Sequence, residues 1–475
     1  MSDAAALPDP EYLPRRTVAE RTARGTSLRA EVPVERHALW RPPPGRADPI
    51  AVLEHQGESR DAPLLPIRYG RMAASAFAFY RGGAAIMAAD LSGTPVSGLH
   101  AQLCGDAHLL NFGLFDTPER SLVFGLNDFD ETLPGPVEWD VKRLAASIEI
   151  AARDLGFGRA DRTAAVTATV CAYREALHEF ASQRNIDVWY SRMSAEDLRR
   201  RLTATGDHAT AKEAKKRVHQ ALQRDHLRAF DRLIQHEDAQ IRFVSRPPLL
   251  TPVEELLDAA GRERYVEVMR SQLREYRENL APDRRALIES YRFVDTARKV
   301  VGVGSVGTRA WVVLLMGRDA GDPLLLQLKE AQRSVLAPYA GDIDHGSQGR
   351  RVVEGQRLMQ AASDHLLGWT HQAGFDGKPR DFYVRQLWDG KASIDVTRLT
   401  PAGLRVYGES CGWTLARGHA RSGDRIAMSA YAGSDPAYDE AMAEFASAYA
   451  DTNEADHAAL VAAIASGRIT ALDGV

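Results

Sequence analysis

The chain of 475 residues carries 60 Lys and Arg against 64 Asp and Glu, which gives a formal net charge of −4. This balance gives no reason to expect nucleic acid or an anionic membrane surface as a partner, although a local positive site could still hold a nucleotide. Three cysteines are too few for a disulfide framework, and no run of apolar residues is long enough to span a membrane. We therefore expect a cytoplasmic protein of two or three domains or lobes.

The N-terminal region is rich in proline and charged residues, and its apolar residues show little periodicity. Residues 1–60 predict an extended arm with at most one short helix. Three arginines follow the arm, namely Arg68, Arg71 and Arg81. Guanidinium groups suit phosphate, although pairing with acidic neighbours or exposure to water is the simpler expectation for each one singly.

Residues 104–131 hold the densest set of candidate functional groups, in a strand-loop-strand-turn-strand pattern. Asp106 and Asn111 have the D-x-x-x-x-N spacing of a phosphoryl-transfer loop, in which Asp orients a substrate hydroxyl and Asn ligates Mg²⁺. A hairpin with Pro118 in its turn would return Asp128 beside Asn111, where both oxygens suit this hard cation. Each position alone could be a turn residue, so the ordered set carries the prediction.

Three short stretches resemble motifs of aminoglycoside and choline phosphotransferases, the small-molecule branch of the protein-kinase-like fold. They are Gly105-Asp-Ala-His-Leu-Leu-Asn111, Asn127-Asp-Phe-Asp130 and Gly135-Pro-Val-Glu-Trp-Asp140, which match G-D-x-H-x-x-N, D-F/W and G-P-x-x-x-D. The resemblance implies a structural role for Asp140, which would accept hydrogen bonds from backbone N–H groups of the loop. Cys104 departs from the histidine that is usual at its position. The site residues implied are Asp106, His108, Asn111 and Asp128 for catalysis, and Asn111, Asp128 and Asp130 for the metal.

Over most of its length the chain also resembles an uncharacterised bacterial family known only as a domain of unknown function. Phe79-Tyr-Arg-Gly82 and His419-Ala-Arg-Ser-Gly-Asp424 are typical of it. In the second of these stretches, His419, Arg421 or Asp424 could reach substrate. Alternatively, the stretch is a helix C-terminus in which Gly423 supplies a left-handed residue.

A second cluster lies far downstream. Gly302-x-Gly304-x-x-Gly307, with Ser305 inside it, stands between two valine-rich runs. The following run reads as a strand rather than a helix, which favours a kinase-type strand, glycine loop and strand over a dinucleotide-binding unit. A third strand ends at Lys329, which matches the lysine that holds nucleotide phosphates. Glu354, on the next helix, is the predicted ion-pair partner of Lys329, with Glu330 and Asp364 as competitors.

The two clusters occur in the reverse of the order found in kinases, and a circular permutation would accommodate this. The sequence thus predicts an α+β, two-lobed, permuted kinase-like fold with a largely helical large lobe and a small lobe built on an antiparallel sheet. The predicted parts are residues 1–60, the N-terminal arm; 61–291, the first part of the large lobe with its loops and a helical insertion; 292–395, the small nucleotide-binding lobe; and 396–475, the helical second part of the large lobe.

The function expected from these residues is transfer of a phosphoryl group from ATP, with Mg²⁺, to the hydroxyl of an unidentified small molecule. Nucleotidyl transfer on the same fold, a nucleotide-binding module without turnover, and a metallophosphoesterase are the alternatives. The glycines and Ser305, with Lys329 and Glu354, would bind the cofactor. A basic segment over residues 192–232 is more simply a solvated helical face than a binding patch.

Overall fold

The computed structural model describes residues 16–204, 226–237, 240–300, 302–341, 343–373, 377–387, 394–472 and 474, together with residues 206, 212, 215 and 216. Over these residues the protein is α+β, mostly helical with several small antiparallel sheets. The described α-helices are Val18–Glu31, Pro49–Gly57, Leu65–Ala73, Ala76–Gly82, Ala84–Ser92, Val137–Asp154, Arg159–Ser182, Asn185–Tyr190, Ala195–Thr203, His226–Leu233, Val253–Leu256, Ala259–Glu278, Pro282–Glu289, Ala337–Ala340, Gln348–Met359, Pro401–Ser422, Arg425–Ala432 and Ala437–Ala465.

The described strands are β1 His100–Leu103, β2 Phe112–Asp116, β3 Leu122–Leu126, β4 Leu133–Pro136, β5 Met193–Ser194, β6 Ile234–Glu237, β7 Gln240–Phe243, β8 Leu250–Pro252, β9 Arg292–Lys299, β10 Ala310–Met316, β11 Pro323–Glu330, β12 Gly368–Ala373 and β13 Pro379–Gln386. They form four antiparallel sheets. The largest has six strands in the order β12-β13-β11-β10-β9-β8, and β2-β3-β5, β1-β4 and β6-β7 form the smaller sheets.

The main core surrounds the helix Val137–Asp154. Apolar residues recur at helical spacing in the sequence of this helix, and the stripe that they form is buried, as Val137, Val141 and Ile148 illustrate. Its opposite face is buried as well, because the helices Arg159–Ser182 and Ala437–Ala465 pack around it. Charged side chains on that face are therefore placed inside the protein, where they need partners.

The N-terminal region is helical over its described part, which corrects the predicted extended arm. The helix Val18–Glu31 begins with a capping box in which Thr17 and Glu20 exchange hydrogen bonds. Between this helix and the next, Arg46 lies 2.7 Å from Asp90 and 2.6 Å from Asp456. These two ion pairs join residues distant in sequence, so local patterns gave no sign of them.

The predicted boundary between residues 291 and 292 does not separate two packing units. Tyr265 and Met269, on the helix Ala259–Glu278, belong to one apolar cluster with Trp311 and Val313 of β10. The helices that precede residue 292 therefore cover the six-stranded sheet. The alternating apolar residues over 392–396 favour a strand by sequence, but a 3-10 helix begins at Val396. Residues 388–393 lie outside the described part.

Only part of the predicted basic segment can be described. On the helix Ala195–Thr203, Arg199 pairs with Glu196 at 2.5 Å, and Arg200 pairs with Asp197. Most of residues 205–225 lie outside the described residues.

Within the described chain, no helix combines the length and apolar character that crossing a bilayer requires.

One buried charge in the core makes stability depend on pH. Burial lowers the pKa of Lys142 from 10.5 to about 7, although Glu138 opposes the shift. The Lys142 ammonium lies 3.4 Å from the Pro95 carbonyl oxygen and 4.9 Å from the Phe445 ring centre, and it contributes to a lowered pKa of His37. At pH values between about 7 and 10.5, the Lys142 side chain is therefore protonated in the unfolded chain and largely neutral in the folded chain.

We expect Lys142→Met to raise the free energy of unfolding by about 2 to 4 kcal/mol at pH 7, because the variant buries no ammonium group. As pH rises from 7 toward 10, the free energy of unfolding of wild type should increase relative to that of the variant. The increase should be at most about 1.4 kcal/mol per pH unit. Urea unfolding at several pH values measures both effects. Lys212→Met, at an exposed position, is the control, and an equal response of the two variants would contradict the prediction.

Candidate active site

The loop at residues 104–111 is held by hydrogen bonds to its backbone. Asp140 accepts from the N–H groups of Cys104 at 2.8 Å and Gly105 at 3.1 Å, so the structural role predicted for Asp140 is confirmed. His419 Nε2 lies 3.3 Å from the same carboxylate. A single carboxylate thus fixes the start of the loop to the helix Val137–Asp154.

Asp106 projects into a cavity but is partly engaged. Its Oδ1 accepts hydrogen bonds from Arg143 Nε at 2.9 Å and Nη2 at 2.7 Å. Its Oδ2 is 3.8 Å from His108 Nε2. Burial lowers the pKa of His108 to about 3, so this imidazole is neutral at physiological pH. Arg143 fixes one carboxylate oxygen, and the other is the oxygen that could orient a hydroxyl group.

Asn111 ends the loop and begins the predicted hairpin. Its side-chain Nδ2 donates to the Asp106 carbonyl oxygen at 2.6 Å, and its own carbonyl accepts from Asn127 N–H at 2.8 Å. In the hairpin, Phe112 is paired with Leu126. This register brings Asp128 back to the same cavity as Asn111. The orientation of the Asn111 amide leaves its Oδ1 as the atom suited to a cation.

The glycine loop, residues 302–307, lies between β9 and β10 as predicted. The Arg60 guanidinium donates to the carbonyl oxygens of Gly304 at 2.9 Å and Val306 at 2.6 Å. A Cβ atom on Gly302 would meet no atom within 4 Å. Gly307 has a φ of +87°, a backbone conformation that favours glycine. The loop is thus secured on its carbonyl side and open at its first glycine.

Lys329 forms the central ion pair of the site. Its ammonium lies 2.7 Å from Asp130 and 3.5 Å from Asp128. Burial by itself would lower the pKa of Lys329, but the two carboxylates outweigh burial and raise it. Glu354 does not take part, because it pairs with Arg350 at 2.7 Å and lies 3.7 Å from His345. The predicted pairing of Lys329 with Glu354 is therefore wrong.

Asp130 is bound by several protein donors. Besides Lys329, it accepts from Tyr383 at 2.5 Å and from Ser305 at 3.3 Å. Tyr383 is the register partner of Lys329 on the neighbouring strand β13. Asp130 therefore anchors the lysine and the glycine loop in this structure, and its metal-binding role stays a prediction.

These groups line one cavity of about 190 Å³, which we call the site cavity. It joins the 104–111 loop, the stretch after β3, the glycine loop and the end of β11, although Lys329 and Asp130 are 199 residues apart. Of the predicted residues, Glu354 and Gly307 are not among the lining residues. The side chains and glycines that line the cavity include Arg60, Arg81, Asp106, His108, Asn111, Asp128, Asp130, Glu131, Gly302, Gly304, Ser305, Lys329 and Arg385.

Several of the residues that line the site cavity were not predicted as site residues. Arg385 lies two residues after Tyr383 on β13, so both side chains are on the same face of the strand. The two-residue period of a strand was therefore a usable signal for Arg385. Glu131 follows Asp130 directly; burial raises its pKa to about 7, while the Val335 N–H donates to it at 2.7 Å. Arg60 precedes the motifs in sequence and carries no local signal. Arg81 is one of the three arginines noted in the sequence as suited to phosphate, although pairing or exposure to water was the simpler expectation for it.

The polar cluster near residue 419 does not reach the site cavity. His419 is fully buried, with Nδ1 at 2.9 Å from the Tyr173 hydroxyl, and Asp424 caps the next helix while pairing with Arg21 at 2.7 Å. Gly423 has a φ of −122°, so the left-handed cap is wrong. Its lack of a side chain instead permits close approach to His100 of β1.

Within the described residues, no three His, Cys, Asp or Glu side chains gather into a group that could hold a metal ion. The oxygens of Asn111 and Asp128 fit Mg²⁺ by chemistry, since this cation prefers carboxylate and amide oxygens and completes its shell with water and phosphate. A cation at this position would therefore depend on a phosphate ligand for part of its coordination.

The chain belongs to a bacterial family. The family described as "Uncharacterized protein conserved in bacteria (DUF2252)" matches residues 60–463, which confirms the expected likeness to an uncharacterised bacterial family. No curated protein and no solved structure matches the chain. Neither of these comparisons links the chain to kinase-like phosphotransferases.

The glycine that opens the 104–111 loop should be required for its structure. Gly105 has a φ of +82°, and a Cβ atom there would collide with the Glu131 carbonyl. We expect Gly105→Ala to lower the free energy of unfolding by about 2 to 4 kcal/mol, and urea unfolding measures this. Gly98→Ala is the matched control, because Gly98 has a φ of +79° but open space around it, and its loss should be about 1 kcal/mol. Equal losses would count against the close contact.

Proposed function

We propose that this protein is an ATP- and Mg²⁺-dependent phosphotransferase with a circularly permuted kinase-like arrangement, acting on the hydroxyl group of a small molecule. One observation carries the proposal: Lys329, at the end of β11, forms its ion pairs with Asp128 and Asp130, which follow a loop containing Asp106 and Asn111. These are the residue types that phosphoryl transfer needs around a metal-bound nucleotide.

Each part of the site has a role in this proposal. The glycine loop, with Gly302, Gly304 and Ser305, would cover the phosphates, because glycine lets backbone N–H groups approach phosphate oxygens. Lys329 would contact the phosphates from the opposite side. Asn111 and Asp128 would hold Mg²⁺, which supplies positive charge to the phosphates when bound.

The acceptor hydroxyl would meet Asp106. Arg143 holds Oδ1 of this carboxylate, so Oδ2 is the oxygen that would accept the hydrogen bond from the hydroxyl. The neutral His108 adds no positive charge there. Because such catalysis is mostly positioning and charge stabilisation, a fixed carboxylate beside a phosphate cover is the arrangement expected.

The charges of the site cavity suit a nucleotide that arrives with a metal. Its carboxyl groups belong to Asp106, Asp128, Asp130, Glu131 and Glu330, and its cationic groups to Arg60, Arg81, Lys329 and Arg385. A free triphosphate would meet repulsion from the carboxylates, whereas Mg²⁺ would offset it. This balance favours Mg–ATP over the free nucleotide as ligand.

Nucleotide binding should require the central ion pair. We expect Lys329→Met and Asp128→Asn each to weaken Mg–ATP binding at least about tenfold, since each removes a group proposed to contact the phosphates or the metal. Isothermal titration calorimetry measures the affinity, and circular dichroism checks that each variant is folded. Glu354→Gln is the control and should bind as wild type does, because Glu354 lies outside the site cavity. Wild-type affinity in both site variants would reject the kinase-like site.

Asp106 should affect transfer more than binding. We expect Asp106→Asn to bind Mg–ATP within about threefold of wild type but to lower transfer by about a hundredfold or more, because the amide accepts the hydroxyl proton poorly. The measurement is transfer of label from γ-labelled and, separately, α-labelled ATP to a metabolite mixture. Label from the α-position alone would indicate nucleotidyl transfer, and binding without any transfer would indicate a binding module.

A further inference from the structure

Arg81 occupies a fixed position between the two loops of the site. It lies near the end of the helix Ala76–Gly82, whose first turn is capped by Ser75. A Cβ atom on Gly304 would lie 3.4 Å from the Arg81 carbonyl oxygen. The Tyr80 hydroxyl donates to the Arg143 carbonyl at 2.7 Å, and the Tyr80 backbone carbonyl accepts from Arg143 Nη2 at 2.8 Å. The backbone at Arg81 therefore lies against the glycine loop and is connected, through Tyr80 and Arg143, to Asp106.

The Arg81 side chain differs from its arginine neighbours in its contacts with the described residues. Arg60 donates to two carbonyl oxygens of the glycine loop, and Arg143 to Asp106. The Nε of Arg81 is buried without a hydrogen-bond partner, and the ion pairs among the described residues do not include Arg81. Burial lowers the pKa of this guanidinium, and the nearby Asp106 partly offsets that.

A half-buried guanidinium with no carboxylate in direct contact has a solvation cost that an anionic ligand would offset. Arg81 lines the site cavity together with Asp106, His108 and Gly304. During phosphoryl transfer, the transferred phosphoryl group lies between the acceptor and the nucleotide. In this site that position is between Asp106 and the glycine loop. Arg81 borders the same space, whereas Lys329 is engaged by Asp128 and Asp130.

We propose that Arg81 is a catalytic residue that binds the oxygens of the phosphoryl group during its transfer. This inference rests on the phosphotransferase function proposed above. The acceptor oxygen forms a bond to the γ-phosphorus while the bond from that phosphorus to the bridging oxygen of ATP breaks. The electron pair of the broken bond stays on ADP, and the acceptor proton passes to Asp106 Oδ2. Arg81 gives and receives no proton, and its fork neutralises charge that spreads over the equatorial oxygens.

The test compares Mg–ADP affinity with and without aluminium fluoride, a planar mimic of the phosphoryl group in the transition state of transfer. Wild type should bind Mg–ADP at least about tenfold more tightly when fluoride and aluminium are present. Arg81→Gln should bind Mg–ADP alone as wild type does but lose this enhancement. Arg81→Lys, which keeps the charge but not the fork, should retain part of it. Calorimetry gives the affinities, and thermal unfolding checks the fold.

The control is Arg71→Ala, which removes a guanidinium from the adjacent helix Leu65–Ala73 but not from the residues that line the site cavity; it should keep the full enhancement. If wild type binds no Mg–ADP, the proposed function and the role of Arg81 both fail. If wild type shows the enhancement and Arg81→Gln keeps it, only the role of Arg81 is overturned. Loss of Mg–ADP binding itself in both folded Arg81 variants would also overturn it, because Arg81 would then act on the nucleotide rather than on transfer.

Discussion

The ion pair between Lys329 and Asp130 connects the elements that form the site cavity. The Lys329 side chain is 3% exposed, and a buried ammonium without a partner would be costly. Asp130 offsets that cost and also accepts hydrogen bonds from Tyr383 and Ser305. One carboxylate therefore joins β11, β13, the glycine loop and the stretch after β3. Removing the Asp130 charge would leave the Lys329 ammonium buried with only Asp128, 3.5 Å away, so the pair fixes the sheet against the 104–111 loop and its hairpin.

The choice of Asp130 over Glu354 as the lysine partner follows from which element lies closest in space. Glu354 is on the helix Gln348–Met359, where Arg350 stands one turn before it and takes its carboxylate. The same helix still contributes to the site, since Arg351 donates to the Asp130 carbonyl oxygen at 2.8 Å. The helix thus supports the backbone of the loop that holds the lysine instead of pairing with the lysine itself.

Much of the local structure could be predicted from sequence, because it is determined by nearby residues. The hairpin after Asn111, the loop at Gly302 and the apolar stripe beginning at Val137 follow from turn chemistry and periodicity. Partner choices across the fold could not be predicted in this way. Arg143 is on the same helix as Asp140, but nothing in its spacing indicates that it reaches Asp106. The helical N-terminal segment was missed because its apolar residues are sparse and its stability comes from tertiary contacts such as those of Arg46.

That N-terminal segment changes how the glycine loop can behave. Arg60 binds two carbonyl oxygens of the loop, and the Asp61 N–H donates to the Gly307 carbonyl at 2.7 Å while its carboxylate pairs with Arg298 at 2.9 Å. A glycine loop held only at its two strands would be free to move away from a ligand. Here the carbonyl side is already bound, so the N–H groups and the open face at Gly302 are what remain for the phosphate ligand of the proposed function. The segment that precedes residues 104–131 in sequence therefore holds the glycine loop, which follows them, and the inverted order of the two clusters places both Arg60 and Arg81 at the site cavity.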